Sequence, residues 1–188
     1  LRLELTGRAA ALDLVERTNR AVDDLTRLVE DVRVAVTRPQ LRCESCDLQA
    51  VWRAAWEQTP GTAAAELVEK VAETKGSCVA DPFRLRQAFS NLFDNALAAG
   101  AKRVTAAVAP ATLNDHPAVR ISVRDDGAGM SAEQRRRLFE PFYTTRPHGT
   151  GLGMTIVQNI VEAHSGTVAA AEVPAGTEIV ITLPRDLP

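Results

Sequence analysis

Residues 119–129 read Val-Arg-Ile-Ser-Val-Arg-Asp-Asp-Gly-Ala-Gly and carry the clearest structural signal in the chain. Apolar and polar residues alternate up to Arg124, which predicts a strand with one buried face. Asp125 follows that strand directly, and Gly127 and Gly129 let the backbone approach a flat ring closely. A carboxylate there can accept a hydrogen bond from an exocyclic amine such as that of adenine. Alone the pattern is weak, because an ordinary turn also explains it.

A second glycine-rich segment, Gly149-Thr150-Gly151-Leu152-Gly153, runs straight into an apolar segment that predicts a helix. Backbone amides at a helix N-terminus bind anions, so phosphates suit this position. No Lys follows the last glycine and the spacing differs from the dinucleotide fingerprint, which excludes both standard nucleotide loops. A flexible glycine loop is the alternative interpretation.

Asn91 and Asn95 lie four residues apart on a helix that is predicted to start at Asp81, with Asp81 as cap and Pro82 in the first turn. They therefore share one helix face. An amide oxygen can complete the shell of a Mg²⁺ ion that phosphate oxygens and waters otherwise hold. The alternative is that both amides are solvated, as most exposed Asn side chains are.

The periodicities of the whole chain predict an α+β fold, a two-layer α/β sandwich with a mixed sheet and helices on one face, preceded by a long amphipathic helix. The predicted elements are helices over 47–57, 81 onward, 131–138 and 155–164 and strands over 66–71, 77–80, 103–108, 119–124, 167–171 and 178–183.

The amphipathic helix carries apolar residues in heptad spacing, which implies a partner helix. These residues are Val15, Val22, Leu25, Val29, Val32 and Val36. The helix is expected to stop before Pro39, which divides the chain into residues 1–38 and 39–188. Residues 1–5 would be the stub of a preceding helix, and the start at Leu1 suggests a fragment. A lone helix packing on its own domain is the alternative.

The amino-acid composition argues against several classes of protein. The net charge of −2 gives no broad attraction to nucleic acid. No apolar run reaches the length of about 18 to 20 residues that a membrane span needs. The cysteines Cys43, Cys46 and Cys78 lack a second ligand pair for zinc, so reduced thiols in a cytoplasmic protein are expected, although a longer parent could be membrane-anchored.

Taken in order, the motifs resemble the Bergerat-fold ATPases, and among them the sensor histidine kinases. They are Asn91-Leu-Phe-Asp-Asn95, Asp125-x-Gly127-x-Gly129, Leu138-Phe-Glu-Pro-Phe142, Gly149-Thr-Gly-Leu-Gly153 and Gly176-Thr177. The resemblance covers about residues 40–184.

The resemblance implies ATP and Mg²⁺ as ligands and gives each motif a role. Asn95 would bind Mg²⁺, Asn91 would face the phosphates, and Asp125 would read adenine. Further implied nucleotide-binding residues are Gly127, Gly129, Gly149, Thr150, Gly151, Leu152, Gly153 and Thr177. Residues 130–148 would form a lid over ATP, with Phe139, Pro141, Phe142 and Tyr143 as its hinge.

The implied activity is transfer of the ATP γ-phosphate to a histidine on a dimerisation helix, followed by transfer to the receiver domain of a response regulator. Residues 1–38 would be part of the dimerisation hairpin of a homodimeric parent. No histidine precedes His116, so the acceptor is expected to be absent from this chain.

Two positions depart from related patterns. Hydrolytic members of the superfamily place a Glu where this chain has Asn91, which favours a kinase over an ATPase because no carboxylate activates water. Ala98 replaces a basic residue, so Arg146 is the candidate for the γ-phosphate contact, with Arg84 or Arg86 as weaker alternatives. His148 is a further possible phosphate contact. A serine kinase, a conformational ATPase and a non-catalytic nucleotide-binding module stay as alternatives.

Overall fold

A computed structural model describes residues 11–19, 21–22, 25–26, 29, 32–33, 39–71, 77–146 and 149–186. From residue 39 on, the helices and strands in chain order are β1 (Glu44–Asp47), α1 (Leu48–Gln58), β2 (Glu66–Val71), β3 (Ser77–Ala80), α2 (Pro82–Ala98), β4 (Arg103–Leu113), β5 (His116–Asp125), α3 (Ala132–Arg137), α4 (Gly153–Ala163), β6 (Thr167–Ala171) and β7 (Thr177–Pro184).

Five strands form the central sheet in the order β2-β4-β5-β7-β6. Strand β2 runs parallel to β4, and the other neighbours are antiparallel. Alternate residues of the inner strands, such as Ile121 and Val123 of β5, are buried. The prediction of a mixed sheet with helices on one face is confirmed.

The helical layer packs through aromatic and branched side chains. Phe89 and Phe93 of α2 meet the rings of Trp52 and Trp56 of α1 edge to face, at centroid distances of 6.2 and 5.2 Å. Helix α4 contributes Ile156, Val157, Ile160 and Val161 to the same core. Helix α2 lies between α1 and α4, so its position is fixed from both sides.

A buried polar cluster anchors the start of α2. The Asp81 side chain caps the helix by accepting from the Arg84 N–H at 3.0 Å, as predicted, and it also accepts from the Arg42 N–H at 2.8 Å. The Asp81 N–H donates to Nε2 of His164 at 2.9 Å. His164 is 1% exposed and its Nδ1 lies 2.7 Å from the Ile160 carbonyl oxygen, so it is a structural residue.

Strands β4 and β5 extend beyond the predicted ranges because they form one long hairpin, closed by a turn at Asn114 and Asp115 with φ of 50° and 66°. The short ribbon of β1 and β3 was only half predicted. Strand β3 matches its predicted range, but the four residues of β1 are too few and too polar to show a period.

The described residues before residue 34 are helical, and their apolar side chains, including Leu12, Leu14, Val22, Leu25 and Val29, are exposed. The predicted stub over 1–5, Val36 and the end of the helix before Pro39 lie outside the described residues. Over the described ranges, no helix combines the length and apolar character needed to cross a membrane.

Candidate functional site

Asp125 ends β5 and is only 7% exposed. Its Oδ1 accepts hydrogen bonds from the Gly127 N–H at 2.9 Å and from the Thr177 N–H at 3.2 Å. Burial raises the pKa of the Asp125 carboxyl, and these hydrogen bonds oppose that rise. Since a carboxylate can accept about four hydrogen bonds, Asp125 has capacity for one more donor.

Glycines let three backbone segments meet around this carboxylate. A Cβ at Gly127 would lie 2.9 Å from the Ala99 carbonyl oxygen. Gly129 and Gly176 both have φ of +72°, and a Cβ at Gly129 would lie 2.9 Å from the Gly176 carbonyl oxygen. A Cβ at Gly176 would overlap the Asp125 carbonyl oxygen. The predicted residues Asp125, Gly127, Gly129 and Thr177 are therefore brought together.

The loop after β5 also contacts the end of α2, since the Ala128 N–H donates to the Ala99 carbonyl oxygen at 3.1 Å. The glycine loop reaches the same helix about two turns earlier. A Cβ at Gly153 would lie 3.4 Å from Oδ1 of Asn91. Helix α2 therefore bridges the two glycine-rich loops, with half-buried Asn91 and Asn95 on it.

The glycine loop forms the start of α4. Leu152 is the residue before the helix and no side chain caps its first turn, so the amides there have no partner within the helix. The Leu152 side chain is buried in the core, and its N–H donates to the Thr150 hydroxyl at 3.3 Å. Leu152 could thus contribute only its backbone to a ligand. Gly151 has φ of +68°, and its carbonyl accepts from the Phe142 N–H at 3.0 Å.

The segment between the loop after β5 and the glycine loop packs partly on the core. Its helix α3 starts with a capping box between Ser131 and Gln134. Phe139 packs on the core and its carbonyl accepts from the Thr155 hydroxyl at 3.2 Å. Phe142, by contrast, is 69% exposed and has φ of 64°. Of the hinge residues, Phe139 and Tyr143 are therefore half-buried, whereas Pro141 and Phe142 are exposed. His148 lies outside the described residues.

Arg146 lies beside Asn95. Its Nη2 donates to the Asn95 side-chain oxygen at 2.6 Å, and its Nη1 donates to Oδ2 of Asp94 at 3.0 Å. Arg84 and Arg86 instead flank the exposed Phe83 ring, at 5.5 and 5.4 Å from its centroid. Nine residues of helix separate Arg86 from Asn95, about 14 Å. Of the three arginines considered, only Arg146 is held at the Asn95 side chain.

Sequence reasoning missed three residues that shape the site. Oδ1 of Asp126 accepts from the Lys102 and Arg103 N–H groups at 2.8 and 2.9 Å, which fixes the loop after β5. Ala99 contacts that loop through its carbonyl, and no side-chain pattern could indicate this. Asp94 was not singled out in the motif of the two Asn, although its charge next to them was a usable signal.

Comparison with known proteins places this geometry in context. Residues 80–187 match the sequence family described as Histidine kinase-, DNA gyrase B-, and HSP90-like ATPase. The sensor histidine kinase ZraS of Klebsiella oxytoca is 36% identical over 171 residues, which is 89% of this chain and 36% of that protein. This chain thus spans about a third of the length of the ZraS proteins that it matches.

Solved structures show the same fold. Full-length ShkA in complex with AMPPNP matches with a TM-score of 0.73 and 27% identity, over 90% of this chain and 37% of that one. The mycobacterial sensor histidine kinase MprB matches with a TM-score of 0.64 and 28% identity, over 78% of this chain and 100% of that one.

Proposed function

We propose a function from one premise: this chain belongs to the family of histidine kinase-, DNA gyrase B- and HSP90-like ATPases. Within that family it is the ATP-binding catalytic domain of a sensor histidine kinase. Asp125 reads the adenine amine and the first turn of α4 receives the phosphates. Between these two places on the nucleotide, Asn91 faces the phosphates and Asn95 binds Mg²⁺.

One observation carries the proposal. Helix α2 contacts the loop after β5 through Ala99 and the glycine loop through Asn91. A ligand that meets both loops must therefore lie along the face that carries Asn91 and Asn95. An adenine nucleotide suits that arrangement, because its base has a donor for Asp125 and its phosphates suit the free amides of α4.

Magnesium also fits the residues present. Asn95 offers a half-buried amide oxygen that already accepts from a cationic side chain, Arg146, at 2.6 Å. Among the residues that the structure describes, no group of three His, Cys, Asp or Glu side chains could hold a metal. Asn95 would therefore hold Mg²⁺ together with phosphate oxygens and waters. When bound, Mg²⁺ neutralises charge that develops on the phosphates during transfer.

The reaction proposed is transfer of the γ-phosphoryl group to a histidine nitrogen of a dimerisation helix. Such a transfer depends mostly on positioning and charge stabilisation. Asn91 is an amide and cannot take a proton from water as a Glu would, so the site does not favour hydrolysis. The chain holds no histidine before His116, so the acceptor would come from a helix outside this sequence.

The proposed partners follow from the same assignment. The exposed apolar face of the described N-terminal helical residues supports a helical partner and a homodimeric longer protein. Residues 1–38 would be the dimerisation part and residues 39–188 the catalytic part, with the lid at about 130–148. A receiver domain would take the phosphate next, in the cytoplasm, where ATP is available. The net charge of −2 gives no reason to add nucleic acid.

Calorimetric titration with Mg²⁺-ADP and Mg²⁺-GDP tests the nucleotide assignment. We expect ADP to bind and GDP not to bind, since guanine presents no amine to Asp125 at the adenine N6 position. Equal affinity for both nucleotides would contradict the assignment of Asp125 as the adenine-reading group.

Phosphotransfer is tested in a chimera in which residues 39–188 replace the corresponding part of ZraS from Klebsiella oxytoca. Incubation with γ-labelled ATP should give a phosphoprotein that is stable in alkali and labile in acid, as phosphohistidine is. Acid-stable label would indicate a serine kinase. Multiple-turnover phosphate release without label would indicate an ATPase, and nucleotide binding without either would indicate a non-catalytic module.

A further inference from the structure

The Arg146 guanidinium contacts α2 through four hydrogen bonds. Two of them, described above, go to the side chains of Asp94 and Asn95. In the other two, Nη2 donates to the Asn95 carbonyl at 3.1 Å and to the Asp94 carbonyl at 3.4 Å. The Asn95 carbonyl is one of the last four of α2, at the helix end that attracts positive charge. A cation from the lid thus occupies the proposed metal-binding oxygen.

The backbone around Arg146 is held as well as its side chain. The Arg146 N–H donates to the Thr144 hydroxyl at 3.0 Å, and the Arg146 carbonyl accepts from the Gly149 N–H at 3.2 Å. A Cβ at Gly149 would lie only 2.6 Å from the Thr144 hydroxyl oxygen, so the turn requires a glycine there. These contacts hold the Arg146 backbone to Thr144 on one side and to Gly149 on the other.

We infer that Asp94 and Arg146 form a latch that holds the lid on Asn95, so that Arg146 and Mg²⁺ exclude each other at the Asn95 oxygen. The inference rests on the proposed function. A guanidinium and a divalent cation on one amide oxygen would repel each other within a few ångströms. Asp94 is a positioning residue here, because its carboxylate orients Arg146 and need not touch the nucleotide.

The latch also gives Arg146 a second position. If Asn95 held Mg²⁺, the Arg146 guanidinium would leave the Asn95 oxygen and would be free to meet the phosphates. That is where a cation for the γ-phosphate is needed, since Ala98 cannot supply one. One arginine therefore makes two contacts in turn, first with the Asn95 oxygen and then with the phosphates.

The test is calorimetric titration of the whole chain with ADP, once with Mg²⁺ and once with a chelator, in wild type and Asp94→Asn. ADP lacks the γ-phosphate, which removes any contact of Arg146 with it from the comparison. We expect Asp94→Asn to bind Mg²⁺-ADP about two- to fivefold more tightly, the range that an exposed ion pair supports, and metal-free ADP with wild-type affinity.

The sign of the change is diagnostic. Without a latch, removing the negative charge of Asp94 from the vicinity of Asn95 would weaken Mg²⁺-ADP binding. Unchanged or weaker Mg²⁺-ADP binding would therefore overturn the latch, and an equal gain with and without metal would overturn competition with Mg²⁺. Wild-type protein that bound no adenine nucleotide in either titration would instead overturn the proposed function itself.

Two further variants complete the design. Glu66→Gln removes an exposed ion pair outside the lid, between Arg103 and Glu66 at 3.3 Å, and should bind Mg²⁺-ADP as wild type does. In an Arg146→Gln background, Asp94→Asn should no longer improve binding, because the partner of its carboxylate is gone. A persisting gain in that background would show that Asp94 acts on the metal without Arg146. Circular dichroism of each variant confirms its fold.

Discussion

The buried carboxylate of Asp125 is proposed to bind the nucleotide and is not expected to stabilise the fold. Burial raises the pKa of Asp125 above its ordinary value, so the folded protein holds that proton more readily than the unfolded chain. The ionised group therefore costs stability at neutral pH, and the cost disappears as the pH falls through the folded-state pKa. A buried carboxylate whose ionisation is disfavoured by its surroundings is typical of a functional residue.

Asp125→Asn should therefore lose ADP binding without losing stability. The Asn oxygen can still accept from the Gly127 and Thr177 N–H groups, but its NH₂ would face the adenine amine. We expect ADP affinity to fall about 10- to 100-fold, since a hydrogen bond to a charged group is worth about 1.5–3 kcal/mol. The free energy of unfolding at pH 7 should be unchanged or higher in urea titrations. A clear loss of stability would show that Asp125 is mainly structural.

His164 has the opposite dependence on pH. Burial lowers its pKa, although its bond to the Ile160 carbonyl opposes this. As the pH falls below about 6.5, the ordinary pKa of His, the unfolded chain binds the proton first and the stability due to neutral His164 is lost. His164→Leu leaves the Asp81 N–H unpaired and should cost about 1–3 kcal/mol at pH 8. Its difference from wild type should shrink at pH 5.5.

Urea unfolding at pH 8 and pH 5.5 measures that difference. The exposed His116 provides the control, and His116→Gln should unfold at the same urea concentration as wild type at both pH values. If the free energies of unfolding of wild type and His164→Leu differed by the same amount at both pH values, the imidazole of His164 would not be buried in its neutral form.

At the level of elements, the hairpin of β4 and β5 ends in a turn that glycine would suit better. Asp115 has φ of 66°, which costs a residue other than glycine about 1 kcal/mol. Asp115→Gly gives the Asn-Gly pair preferred in such turns and should raise the free energy of unfolding by about 0.5–1 kcal/mol. Asp115→Ala should lower it, since Ala lacks the local hydrogen bonding of Asp.

Thermal unfolding of the Gly and Ala variants, with ADP titration as the control, checks this turn. Asp115 lies ten residues, about 34 Å, from Asp125 along the chain of β5, so neither variant should alter ADP affinity. The reverse order of stability would show that the turn has a different conformation.

The elements also show what the sequence could and could not predict. Strands β2, β3 and β6 and the cap of α2 follow from local patterns, and the structure has them where the patterns predict them. The extra length of β4 and β5 comes from pairing between strands, which no local pattern records. The site divides in the same way: the glycines and Asn residues have sequence signals, whereas the contact of Ala99 and the place of Arg146 arise only from tertiary packing.

At the scale of the whole molecule, the sheet, α1, α2 and α4 enclose a core that draws on residues from Cys46 to Leu183. No described residue before residue 46 contributes a buried apolar side chain to it, and Leu12, Val22, Leu25 and Val29 are exposed. Nucleotide binding should therefore be a property of the part after residue 38. The exposed helical face should affect association alone.

Deletion of residues 1–38 tests this division. Residues 39–188 should unfold at the wild-type temperature within about 2 °C, because no buried core contact is lost, and should bind Mg²⁺-ADP within twofold of the whole chain. Light scattering should show more self-association for the whole chain than for the truncated one, since exposed apolar heptads associate. Substituting Val22, Leu25 and Val29 by Glu in the whole chain should reproduce the truncated behaviour. Loss of ADP binding on deletion would mean that the helix completes the nucleotide site, and would move the boundary between the two parts.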